Sequence, residues 1–130
     1  GPRGGHFPGT MIKLAAERDE LMVVSDQVGS PTSTLELAPA LWDVLLKGDA
    51  GIYHAACEGE CSWYDLAVAT IEASGIADIT IDPCSTDEFP RPAPRPRYSV
   101  LDCGKLAELR GAPLSPWKDA LLTYLGSDSE

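Results

Sequence analysis

The chain has 130 residues, 44% of them hydrophobic, with ten basic against twenty acidic side chains and a formal net charge of −10. That is enough chain to bury a core as a single domain, which excludes disorder throughout, and the charge weighs against nucleic-acid backbones and anionic membrane surfaces as partners. Apolar runs of about four residues are far too short to span a bilayer, and no charged n-region precedes an apolar h-region, so the sequence reads as soluble and cytoplasmic.

In chain order, residues 1–9 hold four glycines and two prolines and read as loop, an odd beginning for a domain. Thr10 is placed to cap a helix over about 10–19, with Met11, Leu14 and Ala15 on one face. Leu21, Met22, Val23 and Val24 have the length and branching of a buried strand. The strand opens into Asp26-Gln27-Val28-Gly29-Ser30-Pro31-Thr32, where Gly29 allows a positive φ and Pro31 removes a donor, so no ladder is expected there. A carboxylate, an amide and two hydroxyls within seven residues suit a loop that holds a polar ligand or braces a neighbour.

Thr34 begins a second helix to about Lys47, with Leu37, Leu41, Val44 and Leu45 at helical spacing and Pro39 expected to kink it or delay its start. Residues 51–57, from Gly51 to Cys57, read as a mostly buried strand carrying a structural His54. Ser62 and Asp65 form a capping box for a helix that buries Leu66, Ala67, Thr70 and Ile71 and stops at Gly75. Ile79-Thr80-Ile81 is a third short strand. Helix and strand alternate throughout, which argues for α/β with at least partly parallel pairing.

Between Phe89 and Leu101 stand Arg91, Arg95 and Arg97 with no acid, on a stiff proline-rich backbone. Guanidinium forks on such a backbone suit a phosphate; the alternative is a surface loop whose arginines pair with the surplus acids. Asp102 caps a short helix over 103–110, and Ser115-Pro116 starts a last helix as N-cap and first residue, burying Trp117, Leu121, Leu122 and Leu125 before Gly126. Cys57, Cys61, Cys84 and Cys103 match no zinc spacing and read as free, buried thiols. No nucleotide-binding Gly-rich turn, P-loop, HExxH or Ser-His-Asp layout is present, so the chain holds no complete catalytic apparatus.

The D-Q-x-G-x-P-T element at Asp26–Thr32, Gly51-Ile52-Tyr53-His54, Cys61-Ser62-Trp63-Tyr64 and Arg95-Pro96-Arg97-Tyr98-Ser99-Val100-Leu101-Asp102 together resemble the C-terminal half of dTDP-4-dehydrorhamnose reductase. That is an extended short-chain dehydrogenase/reductase that makes dTDP-L-rhamnose with NADPH. The resemblance runs from about Gly1 to Leu125, with His6 where the family usually has Asn and Pro39 at a position that is normally helix-compatible. It implies an α/β fold of short, mostly parallel strands with helices: a substrate-binding half over residues 1–126 and a disordered tail over 127–130.

The family's Tyr-x-x-x-Lys pair and nucleotide loop match nothing here, so the resemblance assigns no catalytic, cofactor-binding or metal residue to this chain. It implies a truncated reductase, inert alone, whose NADPH belongs to a missing N-terminal Rossmann half; Mg²⁺ is implied by the resemblance only. Arg95 is then expected at the substrate's diphosphate, with Arg97 as second candidate. Gln27, Pro31 and Thr32 would shape the substrate-side loop, and Phe7 would lie near the substrate or the domain junction. The expected partners are a dTDP-sugar and either the missing half or a second copy, through an incompletely covered face around residues 51–57. The alternative is a non-catalytic interaction module, like the regulatory subunit of methionine adenosyltransferase, which shares the fold.

Overall fold

The computed structural model describes residues 5–127. The order is α1 (Phe7–Glu17), β1 (Glu20–Val24), β2 (Val28–Gly29), α2 (Thr34–Lys47), β3 (Cys61–Ser62), α3 (Trp63–Ala73), β4 (Thr80–Cys84), a 3₁₀ turn (Thr86–Glu88), α4 (Gly104–Arg110) and α5 (Trp117–Ser127). β1 and β4 pair in parallel, Leu21 opposite Ile81 and Val23 opposite Pro83, so the mixed α/β class with parallel strands expected from the alternation is what forms. β2 and β3 make a two-residue antiparallel ladder, Val28 with Ser62 and Gly29 with Cys61.

Two apolar clusters hold these elements. In the first, Met11 of α1 and Ala67 and Ile71 of α3 close over Leu21 and Val23 of β1. In the second, Ala40, Leu66, Leu106, Leu114, Trp117 and Leu121 bring α2, α3, α4 and α5 together. Phe7 packs at the edge of both. The capping box reads as expected: Asp65 N–H donates to Ser62 Oγ at 3.0 Å, and Ser62 N–H donates to Asp65 Oδ2 at 2.8 Å. Leu66, Ala67, Thr70 and Ile71 are the buried face of α3.

Several local expectations are corrected. α1 starts at Phe7, not Thr10, because His6 Nδ1 accepts the Gly9 N–H at 3.0 Å and caps the helix, with Pro8 tolerated in its first turn. Pro39 neither delays nor ends α2, which Ser33 caps through the Leu35 N–H. On α2 the inward side carries Ala40 with Val44 packed beside it, while Leu41 and Leu45 face outward. The helix is apolar nearly all round, so spacing alone does not pick the face.

Residues 51–57 form no ladder among the described residues, and Gly51, Ile52 and His54 are exposed. A strand needs a neighbouring edge, and none lies alongside; the segment is held instead by Lys105, whose Nζ sits 4.1 Å from the Tyr53 ring centre and donates to Ile52 O. The third strand runs over Thr80–Cys84 rather than 79–81, following its register with β1. Gly29 does carry a ladder pair and its φ is not positive; its small size matters instead, since a Cβ there would lie 3.0 Å from Ser99 Oγ.

At the C-terminal end, Asp102 Oδ1 takes the Gly104 N–H at 2.8 Å although Cys103 is the cap residue, and Gly111, at φ 79°, ends α4 in the left-handed conformation. α5 begins at Trp117, because Pro116 is drawn into a bridge with Glu58, and it continues through Gly126 to Ser127. Residues 128–130 of the expected tail, like 1–4 of the N-terminal loop, lie outside the described residues.

Candidate functional site

The loop after β1 is fixed by the 3₁₀ turn that follows β4. Asp26 accepts the Thr86 N–H at 3.0 and 3.1 Å and the Thr86 hydroxyl at 2.6 Å, and Gln27 Nε2 donates to Thr86 Oγ1 at 3.1 Å. These bonds hold the Asp26 carboxyl below its ordinary value, with the Thr86 hydroxyl the largest cause. A depressed carboxylate stabilises the fold above its unfolded value near pH 3.9 and loses that contribution as pH falls through its folded value. Thermal unfolding is accordingly expected to hold level above about pH 5 and to fall below about pH 4, more steeply in wild type than in Asp26→Asn. Equal acid slopes in the two proteins would count against this role.

Val28 is where the site is assembled. Its N–H donates to Arg97 O at 2.8 Å and its carbonyl accepts the Ser99 N–H at 2.9 Å, so the proline- and arginine-rich segment bridges in parallel to the loop while β3 pairs on the other side. Tyr98 is anchored further by its hydroxyl, which donates to Glu60 Oε2 at 2.6 Å. The result is that Gln27 and Arg95, 68 positions apart, come together with Trp63. These three residues line two adjoining cavities, of about 300 Å³ and about 500 Å³.

The larger cavity adds Phe7, Met22, Val24, Phe89 and Arg91; the smaller adds Ser30, Cys61, Ser62 and Ser99. Phe7 and Trp63 touch ring to ring, with centres 4.8 Å apart at 54°. Among the described residues no carboxylate lies within ion-pairing distance of Arg91, Arg95 or Arg97; the two recorded pairs join Asp43 to Lys47 and to Arg110. The three guanidiniums therefore make no direct ion pair among the described residues, although the Arg97 charge acts on Asp26.

Of the expected site residues, Gln27, Arg95 and Phe7 converge on these cavities and Thr32 and Arg97 do not. Thr32 Oγ1 donates to Ser30 O at 3.0 Å and accepts the Cys57 N–H at 3.1 Å, which braces the loop against residues 51–57. Arg97 gives its carbonyl to Val28, and its charge acts on Asp26. Trp63 and Phe89 were not assigned to the site from the sequence, and Arg91 only as part of the arginine patch. Their signal was an aromatic at the first position of α3 and an aromatic–arginine pair beside the prolines.

The groups gathered here, guanidiniums, an amide, hydroxyls and aromatic rings, are of kinds suited to holding a polar or anionic ligand. Burial, with the Asp65 charge behind it, pushes the Cys61 thiol up to about 12, which keeps it protonated and no nucleophile. Among the described residues no group of three or more His, Cys, Asp or Glu could hold a metal, so nothing in the donor set supports Mg²⁺. Nor does a dinucleotide fit: β1 runs into Ser25-Asp26 and β4 into a 3₁₀ turn, neither of them a Gly-rich turn opening a helix. No helix among the described residues is long and apolar enough to cross a membrane.

Comparison with known proteins agrees with this geometry. Residues 1–129 match the RmlD substrate binding domain family. A dTDP-4-dehydrorhamnose reductase of Mycolicibacterium smegmatis is 45% identical over 122 residues, 93% of this chain and 37% of that protein. The crystal structure of a dTDP-4-dehydrorhamnose reductase from Clostridium acetobutylicum superposes with a TM-score of 0.90 at 44% identity, over 98% of this chain and 45% of that one. One from Bacillus anthracis, in complex with NADP, gives 0.86 at 32% identity, over 95% and 43%. The chain thus spans less than half the length of the relatives it matches.

Proposed function

We propose, because the chain belongs to the RmlD substrate binding domain family, that it is the nucleotide-sugar half-site of a dTDP-4-dehydrorhamnose reductase. The observation that carries this is the meeting of Gln27, Trp63 and Arg95, with three guanidiniums unpaired among the described residues of a chain of net charge −10. Arg95 grips the diphosphate, Gln27 and Phe7 line the trough, Arg97 and Thr32 hold its walls in register, and the site works in the cytoplasm. NADPH and the groups that move hydride and proton to the sugar's 4-keto carbon belong to a second body, supplied by residues outside this sequence or by another chain. Alone, this chain binds and does not reduce.

An exposed apolar surface supports that reading. Leu35, Leu41, Trp42, Leu45 and Leu46 form one exposed side of α2, and Ile52, 80% exposed, lies on the segment that has strand composition and no ladder. An apolar helix face beside an unpaired extended segment is what a sheet-bearing partner covers.

The test is a calorimetric titration of the full chain with dTDP and dTDP-rhamnose, beside Arg95→Ala. Saturable binding, weakened roughly 10- to 100-fold in the variant, is expected from the loss of a bidentate charged pair. A folded chain that binds neither ligand would overturn the half-site and favour the interaction module.

A further inference from the structure

The contacts of His6 fix the tautomer of its ring. Nδ1 accepts the Gly9 N–H at 3.0 Å, and a backbone amide can only donate, so Nδ1 carries no proton. The proton of the neutral ring is then on Nε2, which lies 2.6 Å from the Tyr124 hydroxyl and donates to it. The two rings also meet edge to face, with centres 5.1 Å apart at 89°. The imidazole lies close against the backbone: a Cβ at Gly9 would stand 2.7 Å from its Cε1 and 3.2 Å from its Nδ1. The start of α1 is thereby latched to α5 beside a cavity of about 200 Å³ whose wall includes Pro31, Leu66 and Trp117.

We propose that His6 is a proton-sensitive latch and, through it, the positioning residue for Phe7. A second proton on the ring sets an Nδ1–H donor against the Gly9 N–H donor. It also places a cation at the N-terminus of an 11-residue helix with no acidic residue in its first turn. No neighbour compensates. Of the described residues that close around the ring, from α1, residues 31–34, α3 and α5, Tyr124 alone is titratable, and no carboxylate comes within ion-pairing distance. The imidazolium therefore gives up the cap, and with it the bond to Tyr124. Phe7 is the first residue of α1, next to His6 in the chain, and its ring centre lies 4.8 Å from that of Trp63. Uncapping frees the turn that aims Phe7 at the trough. This last step rests on the half-site reading above; the latch itself does not.

Histidine ordinarily changes charge between about pH 5 and 8, so the latch is closed at the upper end of that range and opens toward the lower. The chain has two histidines, and His54 is exposed, so His54→Gln leaves one ring to follow. In that background nitrogen NMR at about pH 8 is expected to show His6 as the Nε2–H tautomer. Between about pH 8 and about pH 5.5, above the range in which the Asp26 carboxylate acts, hydrogen-exchange protection at the Gly9 amide is expected to fall about 2- to 30-fold, the worth of an N-cap. His6→Asn, whose amide oxygen caps and does not titrate, should hold its protection level. The Nδ1–H tautomer, protection that ignores pH in the His6 protein, or the same pH dependence in His6→Asn would overturn the latch. Calorimetry with dTDP-rhamnose, whose diphosphate keeps its charge over this range, reads the last step. Affinity should fall together with Gly9 protection when His6 is present and stay level in His6→Asn. Affinity that stays level while protection falls would overturn the positioning of Phe7 and leave the latch standing. A chain that binds at no pH would remove the half-site reading, with tautomer and exchange still deciding the latch.

Discussion

Leu106→Ala is expected to destabilise the chain by about 2–5 kcal/mol, a large part of the 5–15 kcal/mol that holds a typical domain. Leu106 is 1% exposed at the centre of the cluster that joins α2, α4 and α5. The loss combines the transfer term for the deleted carbons with a cavity that well-packed neighbours cannot close. α4 has seven residues, too few to persist without tertiary contacts, and Leu106 is its one fully buried side chain. Because α4 follows directly on the arginine segment, the variant should also loosen Arg95–Ser99. The check is urea unfolding together with hydrogen exchange at the Ser99 amide, which is bonded to Val28 O in the native state. A loss under 1 kcal/mol with Ser99 protection unchanged would show that α4 does not anchor the site.

Replacing Leu41 and Leu45 together by glutamate is expected to abolish self-association of the isolated chain while leaving its unfolding midpoint nearly unchanged. Both residues lie on the outer side of α2, at 55% and 71% exposure, and contribute little to the core. Surface substitutions of this kind usually change stability by no more than about 0.5 kcal/mol. Association is another matter, since a contiguous apolar patch gains roughly 1–2 kcal/mol for each large side chain it covers. Two charges placed within it should therefore weaken contact by a factor of about 100 or more. Light scattering over a concentration series distinguishes the proteins. Wild type that stays monomeric at high concentration would remove the argument that this face is built to be covered.

How far the sequence foretold the molecule depends on whether the relevant physics is local. The Ser62/Asp65 box and the buried face of α3 are set by residues three and four apart, and both form as read. That some pairing would be parallel followed from alternation and handed crossover rules; that β1 takes β4 as its neighbour did not. Residues 51–57 went the other way, because strand composition yields a strand only when an edge is there to receive it. His6 was missed as a cap since imidazole caps rarely; it serves here because Nδ1 reaches the Gly9 N–H while its other ring nitrogen lies 2.6 Å from the Tyr124 hydroxyl. In the site, Gln27, Phe7 and Arg95 were legible as individual residues. Their meeting was legible only through resemblance, because it depends on the long-range bonds of Val28 to Arg97 and Ser99.

The junction at Val28 also predicts where this lineage can change its length. Val28 is tied on one side to Ser62 and on the other to the Arg97 and Ser99 backbone, so one inserted or deleted residue in 95–99 would turn neighbouring side chains to the opposite face and carry Arg95 away from Gln27. Residues 90–94 take part in no such pairing and hold three of the prolines. Insertions and deletions among descendants should therefore accumulate in 90–94 and be purged from 95–99, leaving a variable hinge of chain beside a stretch of invariant count.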